Sequence, residues 1–317
     1  MNEEGTNTMI AVGIDISKKK VDIWMNNKLT ILSNIEKDFR KFFGVIDRKD
    51  TRIVMEATGR HHRLAHEVLD SMGFGVMVIN PYQSRHFAQA MNIFCKTDKV
   101  DAKILSEYAQ RMDFVKTSVP SDNEKSLQNK VRYLEDLKGM LIQCENRLEY
   151  ANGMELKSIK RLIQSFKNEI EKVSKAIKDV VKSDEKMKNR FDILTSINGV
   201  GETTAAALLG LMRELGSVTN KQATALAGLA PMNNDSGNSI GKRHIQKGRH
   251  DIRRFLYIPI IGAATQHNTV LKEFYKKLID AGKPARVALI ACMRKLIVYA
   301  NTLLRKNEKW QENMIKV

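Results

Sequence analysis

Between Asn123 and Arg190 the chain carries no proline and only two glycines, Gly139 and Gly153. Leu127, Val131, Leu134, Leu137, Leu141 and Leu148 recur at helical spacing, and Ile159, Leu162, Ile163, Phe166, Ile170, Val173 and Ile177 continue the rhythm, with Lys and Glu filling the other face. Such a stretch folds as long amphipathic helices and as little else. Two helices, antiparallel and joined near Asn152-Gly153, fit it best, as a spacer or a dimerising coiled coil. This segment divides the chain. With 317 residues the sequence exceeds one ordinary core, and the expected division is 1–120, 121–190 and 191–317.

The first part alternates strand and helix signals. Met9–Ile16 is an apolar run containing Asp15, followed by Val21–Met25 and Leu29–Ile35, with Lys- and Asn-containing turns between them. Three short strands at that spacing predict an antiparallel meander. A helix over Glu36–Ile46 follows, then an apolar run Arg52–Met55 ending at Glu56. Next come a helix over Leu64–Met72, a strand Gly75–Ile79, a helix after Pro81, and a helical pattern from Asp98 to Arg111 with Val100, Ile104, Leu105 and Tyr108 on its apolar face. The expected fold class is α/β plus α: the order βββαβαβα with a mixed sheet is that of a ribonuclease-H-like domain, followed by the coiled-coil segment and a mainly helical last part. That last part carries helices over Asp251–Gln266 and Pro284–Leu304.

Charge narrows the function. Lys and Arg number 53 against 36 Asp and Glu, a formal net charge of +17. A field of that sign and size favours polyanions, of which nucleic acid is the commonest. An anionic membrane is the other candidate, but no uninterrupted apolar stretch of spanning length and no charged-then-apolar leader are seen. Cys95, Cys144 and Cys292 are widely spaced and odd in number, so neither a disulfide framework nor a zinc site is indicated. The expected setting is the cytoplasm of a bacterium.

Four carboxylates carry the chemistry. Phosphodiester transfer is served by two divalent ions about 3.5 to 4 Å apart, and hard ions such as Mg2+ (or Mn2+) take oxygen ligands. Asp15 closes the first strand and Glu56 the fourth, which are neighbours in such a sheet. Asp98 and Asp101, three apart at a helix start, share a face. Any one of these acids alone reads as a turn or cap residue; together they predict a metal site. The surrounding string Lys96-Thr97-Asp98-Lys99-Val100-Asp101-Ala102-Lys103 supplies cations suited to phosphate approach.

Two further stretches read as backbone contacts. In Leu194–Met212 the turn Asn198-Gly199-Val200-Gly201 before an Ala/Leu helix resembles a helix-hairpin-helix element, where Gly199 and Gly201 let amides face a phosphate; a glycine turn between packed helices is the plainer alternative. Beyond Ala227-Gly228-Leu229-Ala230-Pro231 lies a basic loop whose Lys242, Arg243, Lys247, Arg249, Arg253 and Arg254 are candidate nucleic-acid contacts. His244 and His250 read equally as phosphate contacts or solvated bystanders. The loop also presents Ser236 and Ser239, and composition alone names neither as a nucleophile.

The strings GIDISK, MEATG, KTDKVDA, INGVG and LAGLAP…SG…KRHIQKGRHDIRR, in this order, resemble the DEDD-type insertion-sequence transposases and pilin-gene invertases. The resemblance spans about Met9 to Leu304. It implies a RuvC-like domain holding metal through Asp15, Glu56, Asp98 and Asp101, a coiled coil, and a C-terminal transposase domain whose nucleophile is Ser236, with Ser239 its rival. It further implies a serine-linked intermediate, a structured bridge RNA pairing with target and donor DNA, and homodimers assembling to homotetramers. Two departures stand out: His61 or His62 replaces the usual aromatic residue after MEATG, and Ile252-Arg253-Arg254 replaces the usual Leu-Arg pair. The competing expectations are a junction-resolving nuclease using metal-activated water, and a nonenzymatic nucleic-acid-binding protein. The chain contains no GxxxxGK[ST] loop for a nucleoside triphosphate.

Overall fold

The computed structural model describes residues 9–95, 97–233, 241 and 243–311, in two compact units, 1–119 and 120–317.

The first unit is built on a five-stranded mixed sheet in the order β3-β2-β1-β4-β5. Strands β1 (Ile10–Ile16), β2 (Lys20–Met25) and β3 (Lys28–Ser33) form the antiparallel meander; β4 (Thr51–Glu56) and β5 (Gly75–Ile79) add in parallel on the other side of β1. The β2–β3 turn is Asn26-Asn27, both at positive φ (48° and 59°), the geometry that matches the right-handed twist of a tight hairpin and that Asn tolerates. On one sheet face Val12, Ile14, Val21, Ile23, Ile53 and Met55 pack with Phe39 and Phe43 of α1 (Glu36–Phe43) and Val68 and Leu69 of α2 (His62–Ser71). On the other face, Ala11, Val54 and Ile79 meet Leu105, Tyr108 and Ala109 of α4 (Asp98–Arg111), beside α3 (Pro81–Ala90).

Gly13 sets how closely α4 lies on the sheet. A Cβ there would fall on the Ala102 carbonyl oxygen and the Ser106 backbone nitrogen, and 2.8 Å from the Leu105 carbonyl carbon. Only glycine permits that approach. Ser106 fixes it by donating its hydroxyl to the Ala11 carbonyl at 3.0 Å. The contact fixes where the N-terminus of α4 must lie, at the C-terminal end of β1.

The second unit is helical. Helices α5 (Asp122–Leu148) and α6 (Gly153–Lys182) form the expected hairpin, and α5 opens with a capping box in which the Ser121 hydroxyl accepts from the Glu124 amide and the Glu124 carboxylate from the Ser121 amide. Only the half of the hairpin away from its turn is buried. Leu127, Val131, Leu134, Leu137, Val173, Ile177 and Val181 share one core with α7 (Glu185–Thr195), α8 (Glu202–Leu211), α10 (His250–Gly262) and α12 (Ala285–Lys306). The core that covers the hairpin continues past residue 190; periodicity marks helices but not which other helices cover them. The unit also holds α9 (Asn220–Leu226), a two-strand pair β6 (Pro231–Met232) and β7 (His244–Ile245), and α11 (Thr269–Asp280), which follows a π-helical turn, Ala263–His267. Helix α12 is long and apolar enough to cross a membrane, a feature not anticipated from the sequence. Its Ala288, Leu289, Cys292, Met293, Leu296, Ile297 and Ala300 are instead buried in this protein core.

Candidate metal centre

The four predicted acids are brought to one place. Strands β1 and β4 are hydrogen-bonded in parallel with Ile14 opposite Met55, so the next residues, Asp15 and Glu56, leave the sheet at the same end. Helix α4 delivers the other two. Its N-cap, Thr97, accepts the Val100 amide through its hydroxyl at 3.3 Å, and Asp98 and Asp101 stand in the first turn, where a carboxylate is favoured by the unpaired amides and the helix dipole. Asp15, Glu56, Asp98 and Asp101 line one cavity of about 410 Å³, together with Thr58, Ser84 and Arg85.

The electrostatics record the crowding. Burial, then the negative charges of Asp101, Glu56 and Asp98, push the Asp15 carboxyl up to about 6 against a weaker opposing bond from the Ile16 amide. Glu56 is oriented by Ser84, whose hydroxyl donates to Oε2 at 2.8 Å and lies 3.0 Å from the Pro81 carbonyl. Asp98 is held by Lys20: Nζ lies 3.2 Å from its Oδ2 and 3.0 Å from Oδ2 of Asp22. Asp22, directly opposite Asp15 across the β1–β2 ladder, is a buried acid that sequence reasoning missed; its position beside Asp15 was visible only once the hairpin register was known.

The donor set fits a hard divalent cation: four oxygen-bearing groups, converging from three elements, with mutual repulsion that positive charge would offset. As arranged, no three His, Cys, Asp or Glu side chains among the described residues are gathered into a finished ligand set. The Lys20 ammonium stands beside Asp98.

The residues expected to touch nucleic acid divide differently. Gly199 has φ +89°, and an added Cβ would strike Ala263 at 2.5 Å, so it serves close packing within the unit. Gly201 caps α8 and faces open space. Arg249 is engaged internally, donating to the Leu211 carbonyl at 2.6 Å and to Glu214 through both Nη atoms. Burial alone would raise the Glu214 carboxyl, but the hydrogen bonds and charge of Arg249 hold it below the usual range. Arg253 donates to the carbonyls of Lys247 (2.7 Å) and Gly228 (3.2 Å), and Arg254 pairs with Glu135 at 3.0 Å. Loop composition did not reveal these three internal contacts. Arg243 and Lys247 are exposed. Ser236, Ser239 and Lys242 lie outside the described residues.

Comparison with known proteins agrees with this geometry. Residues 12–151 match the DEDD transposase domain of the IS110 type, and residues 191–276 match the domain described as transposase IS116/IS110/IS902 family. The chain is 26% identical to the pilin gene-inverting protein of Moraxella bovis, and equally to that of Moraxella lacunata, over 319 aligned residues that cover 96% of this chain and 98% of theirs. With both halves matched in order and the carboxylates gathered at one sheet end, the chain belongs to the IS116/IS110/IS902 family of transposases, enzymes of DNA recombination.

Proposed function

We propose that this transposase cuts and rejoins DNA through a phosphodiester link to Ser236, at a magnesium- or manganese-dependent site made by Asp15, Glu56, Asp98 and Asp101. The observation that carries the reading is the convergence of those four acids on one cavity. The strand order 3-2-1-4-5 with acids at the ends of β1 and β4 supports a ribonuclease-H-like first unit, and the glycine turn before α8 supports a helix-hairpin-helix contact made through Gly201.

In this mechanism the Ser236 hydroxyl attacks a backbone phosphorus and gives up its proton. A serine–phosphate ester forms as the bond to one strand's leaving oxygen breaks, and that oxygen departs as a hydroxyl. A hydroxyl of the strand to be joined then attacks the same phosphorus, restoring a phosphodiester and freeing the serine. Because the ester conserves the bond, rejoining requires no nucleotide. Divalent metal, when bound, supplies charge neutralisation at the non-bridging oxygens and activation of the attacking oxygen. Ser84 keeps Glu56 in place, Lys20 restrains Asp98 before the ion arrives, and Arg243, Lys247 and Lys242 grip flanking phosphates.

Target and donor DNA would be chosen by pairing with a structured bridge RNA, in a homodimer assembling to a homotetramer in the bacterial cytoplasm. Inversion, the activity named for the Moraxella relatives, uses the same cut-and-rejoin chemistry. The test is covalent trapping: wild-type protein incubated with nicked substrate and Mg2+ forms a protein–DNA adduct, and Ser236→Ala does not, while its metal binding persists. Adducts undiminished in Ser236→Ala would overturn the serine assignment, and recombination without any copurifying RNA would overturn RNA guidance.

A further inference from the structure

On β2, residues Lys20, Asp22 and Trp24 alternate onto the face covered by α4, while Val21 and Ile23 point into the apolar core on the other side. Lys20 pairs with Asp98 there. Next along α4, the ammoniums of Lys99 and Lys103 both lie over the Trp24 ring, 5.9 and 5.8 Å from its centroid. Both lysines are exposed, and among the described residues neither is paired with a carboxylate.

The arrangement carries a small cost, since like charges four apart on a helix repel by about 0.2 to 0.5 kcal/mol. The indole offsets part of that cost through cation–π attraction and holds the two ammoniums in one place. They stand on the same helix that supplies Asp98 and Asp101, on its flank toward β2, while the carboxylate cavity opens on the flank toward α3; a DNA backbone crossing the start of α4 to reach the four acids would pass them.

We infer that Trp24, Lys99 and Lys103 form a phosphate cradle for the DNA strand entering the carboxylate cavity: the lysines take successive backbone oxygens, and Trp24 is a positioning residue that pre-aligns them. The assignment rests on the proposed reading in one respect, that a DNA phosphate is brought to those acids. The contact is to backbone, so it aligns the strand and carries no sequence information.

Trp24 reports on itself, because the chain has only two tryptophans and the other, Trp310, is buried in the second unit. Titrating Trp310→Phe full-length protein with a short random-sequence DNA duplex should change Trp24 emission as the ammoniums leave the ring. If Trp310→Phe does not fold, the difference between wild type and Trp24→Phe gives the same signal. Lys99→Gln and Lys103→Gln should each weaken binding about eightfold at roughly 0.1 M salt and lower the log–log salt slope by about 0.9, the value of one neutralised phosphate. Duplex binding with silent Trp24 and unchanged slopes would overturn the cradle alone. A response to RNA duplex but not to DNA would overturn its assignment to DNA. If wild-type protein binds no duplex at any salt, the strand-transfer reading fails and the cradle with it.

Discussion

Gly13→Ala is the smallest change that should separate the carboxylates. The new methyl would overlap backbone atoms of Ala102 and Ser106 and stand 2.8 Å from the Leu105 carbonyl carbon, where ordinary carbon contacts are about 3.5 to 4 Å. None of these is a side-chain tip that can swing aside, so α4 as a whole must lift by about 1 to 1.5 Å. Overpacking of this kind costs about 1 to 3 kcal/mol, and here the Ser106–Ala11 hydrogen bond (3.0 Å) is strained as well, adding about 1 kcal/mol. We expect about 3 kcal/mol in total, which lowers the midpoint of a unit this size by at least about 10 °C. Because α4 carries Asp98 and Asp101, the same lift exceeds the roughly 0.5 Å tolerance of a working site, and strand cleavage should fall about a hundredfold. Thermal unfolding followed by circular dichroism, with Mn2+ binding measured on the same samples, tests both halves. A Gly13→Ala protein with wild-type midpoint and wild-type metal affinity would refute the claim that this contact sets the site.

Other expectations follow from the same structure. Asp15 has its pKa raised from 3.8 to about 6 by burial and neighbouring carboxylates, so its ionisation in the metal-free fold is opposed, and this group's contribution to stability falls as pH rises from about 4 through about 6. A divalent ion reverses the sign by favouring the carboxylate; calorimetry in buffers of different ionisation enthalpy should show proton release on Mn2+ binding near pH 5.5 and little near pH 8, and equal release at both would contradict the shift. Arg249→Met should destabilise the protein by about 2 kcal/mol, since it strands the partly buried Glu214 carboxylate, yet leave the salt slope for DNA unchanged; a slope lowered by about 0.9 would make Arg249 a phosphate ligand after all. Cys95 is exposed and Cys292 buried with its thiol pushed up to about 11, so a maleimide should label Cys95 quickly and Cys292 only on unfolding, as peptide mapping would show.

Much of the first unit was legible because its signals are local. Apolar runs closed by Asp15 and Glu56 give the strands, and the first three strands form a hairpin meander, whose neighbours in sequence are neighbours in space. Spacing of Asp98 and Asp101 at a helix start needs no tertiary information. Less could be read where a residue's role is set by distant backbone. Asp22 looked like an ordinary strand residue until the register placed it opposite Asp15, and Gly13 looked like part of an apolar run although it is the point of contact with α4. In the second unit, charge composition marked Arg249, Arg253 and Arg254 as candidate nucleic-acid contacts, but composition does not show the acceptors each also meets within the chain. Glu214, the Gly228 and Lys247 carbonyls, and Glu135 come from other segments. Helical periodicity found α5 and α6 but not their common core with α8.

The most direct measurement is Mn2+ binding, by calorimetry and electron paramagnetic resonance, to wild-type protein and to Asp15→Asn, Glu56→Gln, Asp98→Asn and Asp101→Asn in turn. Each substitution should weaken or abolish binding by tenfold or more while the circular dichroism spectrum is kept, because all four carboxylates serve one site. Wild-type affinity in Asp15→Asn, with the other three acids intact, would show that the carboxylates at this sheet end do not hold metal together.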